Sequence, residues 1–233
     1  MVRALFFDFD GLIVDTESPS LAAWRRLYAQ HGHELSLDRW SAQIGTIDGF
    51  DAFAHLEELV GSPLDRDVLQ AGRLDHELTL VEAEQLRPGV ADYLAGAERL
   101  GLRKAIVSSG SRPWIDGHLR RLERAYGWDA IVTADGDASR AKPSPTLYLE
   151  ALATLSVDAA DAIAFEDSPN GIRAARAAGL YCVGVPNPVT AALGLDEADL
   201  VVESLATLPL EELLRVRAET PDAPPPAGET ISS

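Results

Sequence analysis

Six short runs of β-branched and aromatic residues, at 4–9, 104–108, 130–133, 162–165, 182–185 and 200–202, alternate with stretches whose apolar residues recur every three or four positions. Short apolar strands separated by helical segments call for a parallel sheet flanked by helices, because a crossover helix is what returns the chain to start the next parallel strand. The helices are expected at 90–100, 114–122, 145–155 and 171–178, with Gly101 and Gly179 standing where helix C-caps belong. One stretch breaks the alternation: residues 16–86 carry no strand pattern, only helical ones at 21–30, 50–60 and 67–84. The expected fold is therefore α/β, a Rossmann-like parallel-sheet core from 1–15 and 87–217 with an all-helical cap inserted at 16–86. The tail 218–233 holds Pro221, Pro224, Pro225, Pro226 and Gly228 and too few apolar residues to pack, so disorder is expected there.

Charge narrows the partners. The formal charge of −17 disfavours nucleic acid, whose binding needs a basic face. No run approaches the roughly 18 apolar residues of a membrane span, and Met1-Val2-Arg3 leads straight into the first strand, so a cytoplasmic protein without a signal peptide or membrane partner is expected. Cys182 is the single cysteine, which excludes an internal disulfide. Only Lys104 and Lys142 are lysines, which gives each unusual weight.

The chemistry-bearing residues fall at strand ends, where α/β sheets bind ligands. Asp8 and Asp10, two residues apart in Phe7-Asp8-Phe9-Asp10-Gly11, can share one face of an extended chain, although Asp-Gly is also a common turn dipeptide. After the second core strand, Ser108-Ser109-Gly110-Ser111 offers hydroxyls and backbone N–H groups to a phosphate oxygen just before a helix. Lys142, at the entrance to the next helix, offers a compact ammonium. Glu166 and Asp167 are adjacent acids at the end of another strand, with Ser168-Pro169-Asn170-Gly171 opening the helix that follows. Trp24 falls at an apolar helix position and reads as core.

These four segments, in this order, resemble the four motifs of the haloacid dehalogenase superfamily, over about residues 1–215. Residues 8–17 and 168–171 look like its β-phosphoglucomutase-like phosphatases with a helical cap. The resemblance implies a Mg²⁺-dependent phosphatase that hydrolyses a small phosphate monoester, of a sugar, polyol or nucleotide, through an aspartyl-phosphate. It implies Asp8 as nucleophile, Asp10 as general acid and then base, and Ser109, Gly110 and Lys142 as phosphate holders. Asp8, the backbone carbonyl of Asp10, Glu166 and Asp167 would hold the metal. Ser20 and Thr46, in the cap, are candidates for reading the leaving group. A small phosphorylated metabolite is the expected partner, and a monomer the default.

Other chemistries fit less well. A phosphosugar mutase is the nearest alternative, but Ser20 stands where β-phosphoglucomutases carry a cap histidine, and 43–48 contain no lysine or arginine. A halide leaving group needs neither the Asp10 acid nor the metal ligands. Phosphonate cleavage through a Schiff base needs a lysine in the insertion, and 16–86 contain none. A non-catalytic module would normally have lost the nucleophile or the metal acids first, whereas Asp8, Asp10, Lys142, Glu166 and Asp167 are all present.

Overall fold

The run Ala4-Leu5-Phe6-Phe7 is apolar without a break because both faces of its strand are covered. The computed structural model, which describes residues 1–41, 50–123 and 127–220, buries all four residues in β1 (Ala4–Phe7). β1 lies between β2 (Arg103–Ser108) and β4 (Ala162–Glu166); β3 (Ala130–Thr133) lies outside β2, and β5 (Tyr181–Gly184) and β6 (Leu200–Val201) outside β4. Every pairing in the order β3-β2-β1-β4-β5-β6 is parallel. After β1 the chain builds outward on one side, then returns to β4 on the other. That reversal opens a crevice at the carboxyl ends of β1 and β4.

The alternation of side chains along β1 divides the core. Phe6 joins Val107, Leu147, Tyr148 and Ile172 on the face covered by α7 (Thr146–Leu155) and α8 (Pro169–Ala177). Phe7 joins Ile106, Tyr93, Ile115 and Phe165 on the other, covered by α5 (Val90–Leu100), α6 (Arg112–Arg121) and α9 (Leu210–Glu219). Burying a Phe or Leu side chain contributes about 1.5–3 kcal/mol, so both faces help to hold the sheet.

Between β1 and β2 the chain forms α1 (Glu17–Gln30), α2 (Leu37–Ser41), α3 (Ala52–Val60) and α4 (Arg66–Ala83), the helical cap. The cap has its own core, in which Trp24 packs against Trp40 and Phe53. Asp51 and Asp65 cap α3 and α4 by accepting from Ala54 N–H and Val68 N–H. Two linkers join cap to core, meeting where Val14 bridges Leu86 antiparallel.

Two elements end elsewhere than the sequence pattern suggests. Strand β1 stops at Phe7 rather than at residue 9, because from Asp8 onward the backbone turns back through Ile13 N–H and Val14 N–H to Phe9 O. Helix α9 runs to Glu219, two residues into the stretch read as tail, where the Arg217 guanidinium lies over the Tyr181 ring and Thr220 Oγ1 donates to Val216 O. Among the described residues, no helix is long and apolar enough to cross a membrane.

Candidate active site

As the chain leaves β1, Asp8 N–H still donates to Phe165 O at 3.0 Å, so the carboxylate of Asp8 stands over the crevice beside β4. Gly11 then turns the chain with φ +79°, a conformation that favours glycine. A Cβ at Gly11 would stand 2.2 Å from Asp167 Oδ2, so only glycine lets this loop approach the acid that ends β4. On the far side, a Cβ at Gly171 would stand 1.8 Å from Glu166 Oε2, which makes room for that carboxylate at the start of α8.

Asp8, Lys142, Glu166 and Asp167 meet in the crevice, with Tyr148, Asn187 and Arg87 around them. Lys142 Nζ lies 2.5 Å from Asp8 Oδ1 and 2.7 Å from Glu166 Oε1, with all three groups buried. The Tyr148 hydroxyl, on α7, donates to the same Glu166 oxygen. One carboxylate oxygen from each of Asp8, Glu166 and Asp167 lies within 4.8 Å of the other two. Asn187, in the loop after β5, donates from Nδ2 to Asp167 Oδ2 at 2.7 Å and to Gly11 O at 3.3 Å. Its Oδ1 accepts from Val189 N–H and Thr190 N–H, so its rotamer is fixed. Arg87, at the second linker, donates to Gly11 O and Pro186 O at 2.6 Å each, binding the same two loops together.

Three buried carboxylates against one ammonium leave an excess of negative charge. Burial, and then the charge of Asp8, push Asp167 well above its ordinary pKa. Burial does the same to Glu166, although the Lys142 ammonium opposes it. Burial works against the ammonium of Lys142, but the charges of Asp8 and Glu166 outweigh it and raise its pKa. Lys142 therefore stays charged. Hard oxygen donors with unneutralised charge suit a divalent cation such as Mg²⁺, and Glu166 Oε2 is buried without a hydrogen-bond partner among the described residues. The donor set fits that ion.

Asp10 has a separate set of donors. Its Oδ1 accepts from Trp114 Nε1 at 2.8 Å and from Thr16 Oγ1 at 3.1 Å, and its Oδ2 from Ser108 Oγ at 3.3 Å. Burial first, and the charge of Asp8 second, raise its pKa to about 6 against the pull of these donors. Glu17, on the first turn of α1, is pushed up to about 8 by burial and by the charges of Asp10 and Asp8. The cap thus contributes a carboxyl whose neutral form is favoured near pH 7.

The structure brings Asp8, Lys142, Glu166 and Asp167 together. Ser109 Oγ accepts from Lys142 N–H at 3.0 Å, tying two of the loops and leaving its own O–H to donate. Gly110 differs: its N–H is given to Ser108 Oγ at 2.9 Å rather than being free for a phosphate. Ser20 is half-buried on α1, its N–H donating to Thr16 O, and no hydrogen bond among the described residues joins it to the acids. Thr46 lies outside the described residues. Glu17 closes the 8–17 stretch of the resemblance but has no role assigned to it there, and Trp114, Tyr148, Arg87 and Asn187 carry no signal that single-sequence reading assigns to this site. The nearest to one is Asn187 between Pro186 and Pro188, a loop punctuation at the end of a predicted strand.

Residues 2–179 match the family model described as haloacid dehalogenase-like hydrolase. "Putative phosphatase YhcW" of Bacillus subtilis (strain 168) is 42% identical over 214 residues, covering 92% of this chain and 97% of that protein. The β-phosphoglucomutase of the same organism is 29% identical, covering 94% and 100%. Among solved structures, CbbY from Rhodobacter sphaeroides in complex with phosphate superposes with a TM-score of 0.69 at 30% identity, covering 88% of this chain and 96% of that one.

Proposed function

This chain belongs to the haloacid dehalogenase-like hydrolase family, and we propose that it is a Mg²⁺-dependent phosphatase of a small sugar, polyol or nucleotide monophosphate, with Asp8 as its nucleophile. The observation that carries this reading is the Lys142 ammonium bridging Asp8 and Glu166 beside Asp167. A buried cation that neutralises a nucleophilic carboxylate makes room for a phosphate dianion. The phosphatase name that YhcW carries and the phosphate bound by CbbY support the same class of ligand.

Asp8, Glu166 and Asp167, with the Asp10 backbone carbonyl, would hold Mg²⁺, which when bound supplies positive charge to the phosphoryl oxygens and keeps the Asp8 carboxylate ionised. Lys142 and the Ser109 hydroxyl orient the phosphoryl group. An Asp8 oxygen attacks phosphorus as the bond to the leaving oxygen breaks, and Asp10 gives its proton to the departing alkoxide. The Asp10 carboxylate then takes a proton from water, whose oxygen attacks the aspartyl-phosphate and frees Asp8 and inorganic phosphate. A pKa near 6 suits a group that must both give and take a proton near neutrality. The cap excludes bulk water over the crevice.

The test is phosphate release from a panel of monoesters, including p-nitrophenyl phosphate, with Mg²⁺ and again after EDTA. Release that stops with EDTA is expected. β-Glucose 1-phosphate should not convert to glucose 6-phosphate in the presence of a bisphosphate primer; conversion faster than phosphate release would replace the hydrolase by a mutase.

A further inference from the structure

We infer that Trp114 is a positioning residue for Asp10, fixing through its indole N–H the direction in which the Asp10 carboxyl meets the leaving group. Of the three groups that donate to Asp10, Thr16 and Ser108 offer hydroxyls that rotate and can also accept. The indole N–H can only donate, and at 2.8 Å it makes the shortest of the three contacts. It alone imposes a fixed direction on the carboxylate.

The indole is itself held. Trp114 lies in the first turn of α6, whose N-cap Ser111 accepts from Trp114 N–H at 3.4 Å. One turn on, the buried His118 ring stands edge-to-face with it, with centroids 4.2 Å apart, and packs on Phe9 between the two motif acids. Arg121, another turn along the same face, donates from Nε to His118 Nδ1 at 3.4 Å. Its Nη1 donates to Glu82 O at 3.1 Å and Glu84 O at 2.7 Å, the carbonyls at the end of α4 where the cap returns to the core. One face of α6 therefore runs from Asp10 to the cap's exit, and Trp114 is its contact with the chemistry.

The inference rests on the proposed phosphatase reading, and the test separates the two. A residue that aims a general acid matters most when the leaving group needs a proton. The kcat/KM of Trp114→Phe, which keeps the aromatic contact with His118, is compared on phenyl phosphate and p-nitrophenyl phosphate, esters of similar shape whose leaving groups differ in basicity. We expect a loss of about tenfold on phenyl phosphate and less than about threefold on p-nitrophenyl phosphate. In an Asp10→Ala background the same substitution should change either rate by less than about twofold. Equal losses on the two esters, or a full loss in the Asp10→Ala background, would overturn the inference.

A second arm needs no turnover. In protein labelled with ¹⁵N-tryptophan, the Trp114 indole resonance, identified by its contact with the His118 ring, should move upfield in Asp10→Ala. An unmoved resonance would overturn the inference even if Trp114→Phe failed to fold. A wild-type protein inactive on both esters would instead sink the phosphatase reading, and the indole resonance would still decide for or against Trp114.

Discussion

Replacing Lys142 by methionine keeps the unbranched side chain up to the Cε position and removes the charged terminal nitrogen, which isolates the ammonium's part in holding the site together. The ammonium is 3% exposed and its partners Asp8 and Glu166 are 9% and 0% exposed, so none of the three is screened by water. Removing one partner of a buried ion pair costs about 3–5 kcal/mol, because the other charge stays buried without compensation. In a chain of this size 1 kcal/mol moves Tm by roughly 2–4 °C, so a fall of about 10 °C is expected in EDTA at pH 8. Glu166 and Asp167 relieve part of the cost by taking up protons. Their folded pKa values, already raised, rise further, the folded state then binds more protons than the unfolded one, and the variant loses stability as pH increases. The gap between wild type and Lys142→Met should therefore narrow from pH 8 to pH 6, and Mg²⁺ should restore part of the lost Tm. Phosphatase activity should fall by about 10³ or more. Lys104→Met is the control, since Lys104 pairs in register with Leu5 near the amino end of the sheet, away from the crevice. Differential scanning fluorimetry in EDTA makes the measurement; a Lys142→Met Tm within about 2 °C of wild type at pH 8 would refute the reasoning.

Two further outcomes follow from the same crevice. Gly171→Ala puts a Cβ into Glu166 Oε2, so Mg²⁺ affinity measured by calorimetry should drop by about 10-fold or more, with lowered stability; unchanged affinity would show that the carboxylate moves aside freely. Because burial raises Glu166 and Asp167, binding of Mg²⁺ should release protons, so affinity should rise between pH 6 and pH 8 and the heat of binding should vary with the ionisation enthalpy of the buffer. Buffer-independent heats would contradict it.

Much of this site was legible in the sequence because its acids sit at the ends of short, continuous apolar strands, and a parallel sheet collects those ends along one edge. Asp8, Glu166 and Asp167 need only the fold class to be brought together, and Lys142 stood out because lysine is scarce. Residues that support them were not legible. Trp114 reaches Asp10 across 104 residues and Asn187 reaches Gly11 across 176, through contacts that depend on how α6 and the loop after β5 pack. Gly110 misled for a local reason: Ser108, the last residue of β2, turns its hydroxyl to Asp10 and so captures the N–H that the loop pattern offers to a phosphate. Helix α9 is not among the expected helices, although Pro209 and Pro221 stand at helix-boundary positions and its periodic Leu210, Leu213 and Leu214 pack beneath the sheet. Helix ends, by contrast, are local backbone requirements: Gly101 caps α5, Gly179 follows the Ala178 C-cap of α8, and both glycines have positive φ.

The central claim is that Asp8 carries the phosphoryl group, and it is tested most directly by trapping that group. Asp10→Asn removes the base that activates water, so mixing this variant with Mg²⁺ and a reactive phosphate donor should leave a mass increase of one phosphoryl group on the peptide containing Asp8. The same experiment on a variant that also carries Asp8→Asn should leave no label. Label on any other residue, or undiminished phosphate release by Asp8→Asn, would contradict the account.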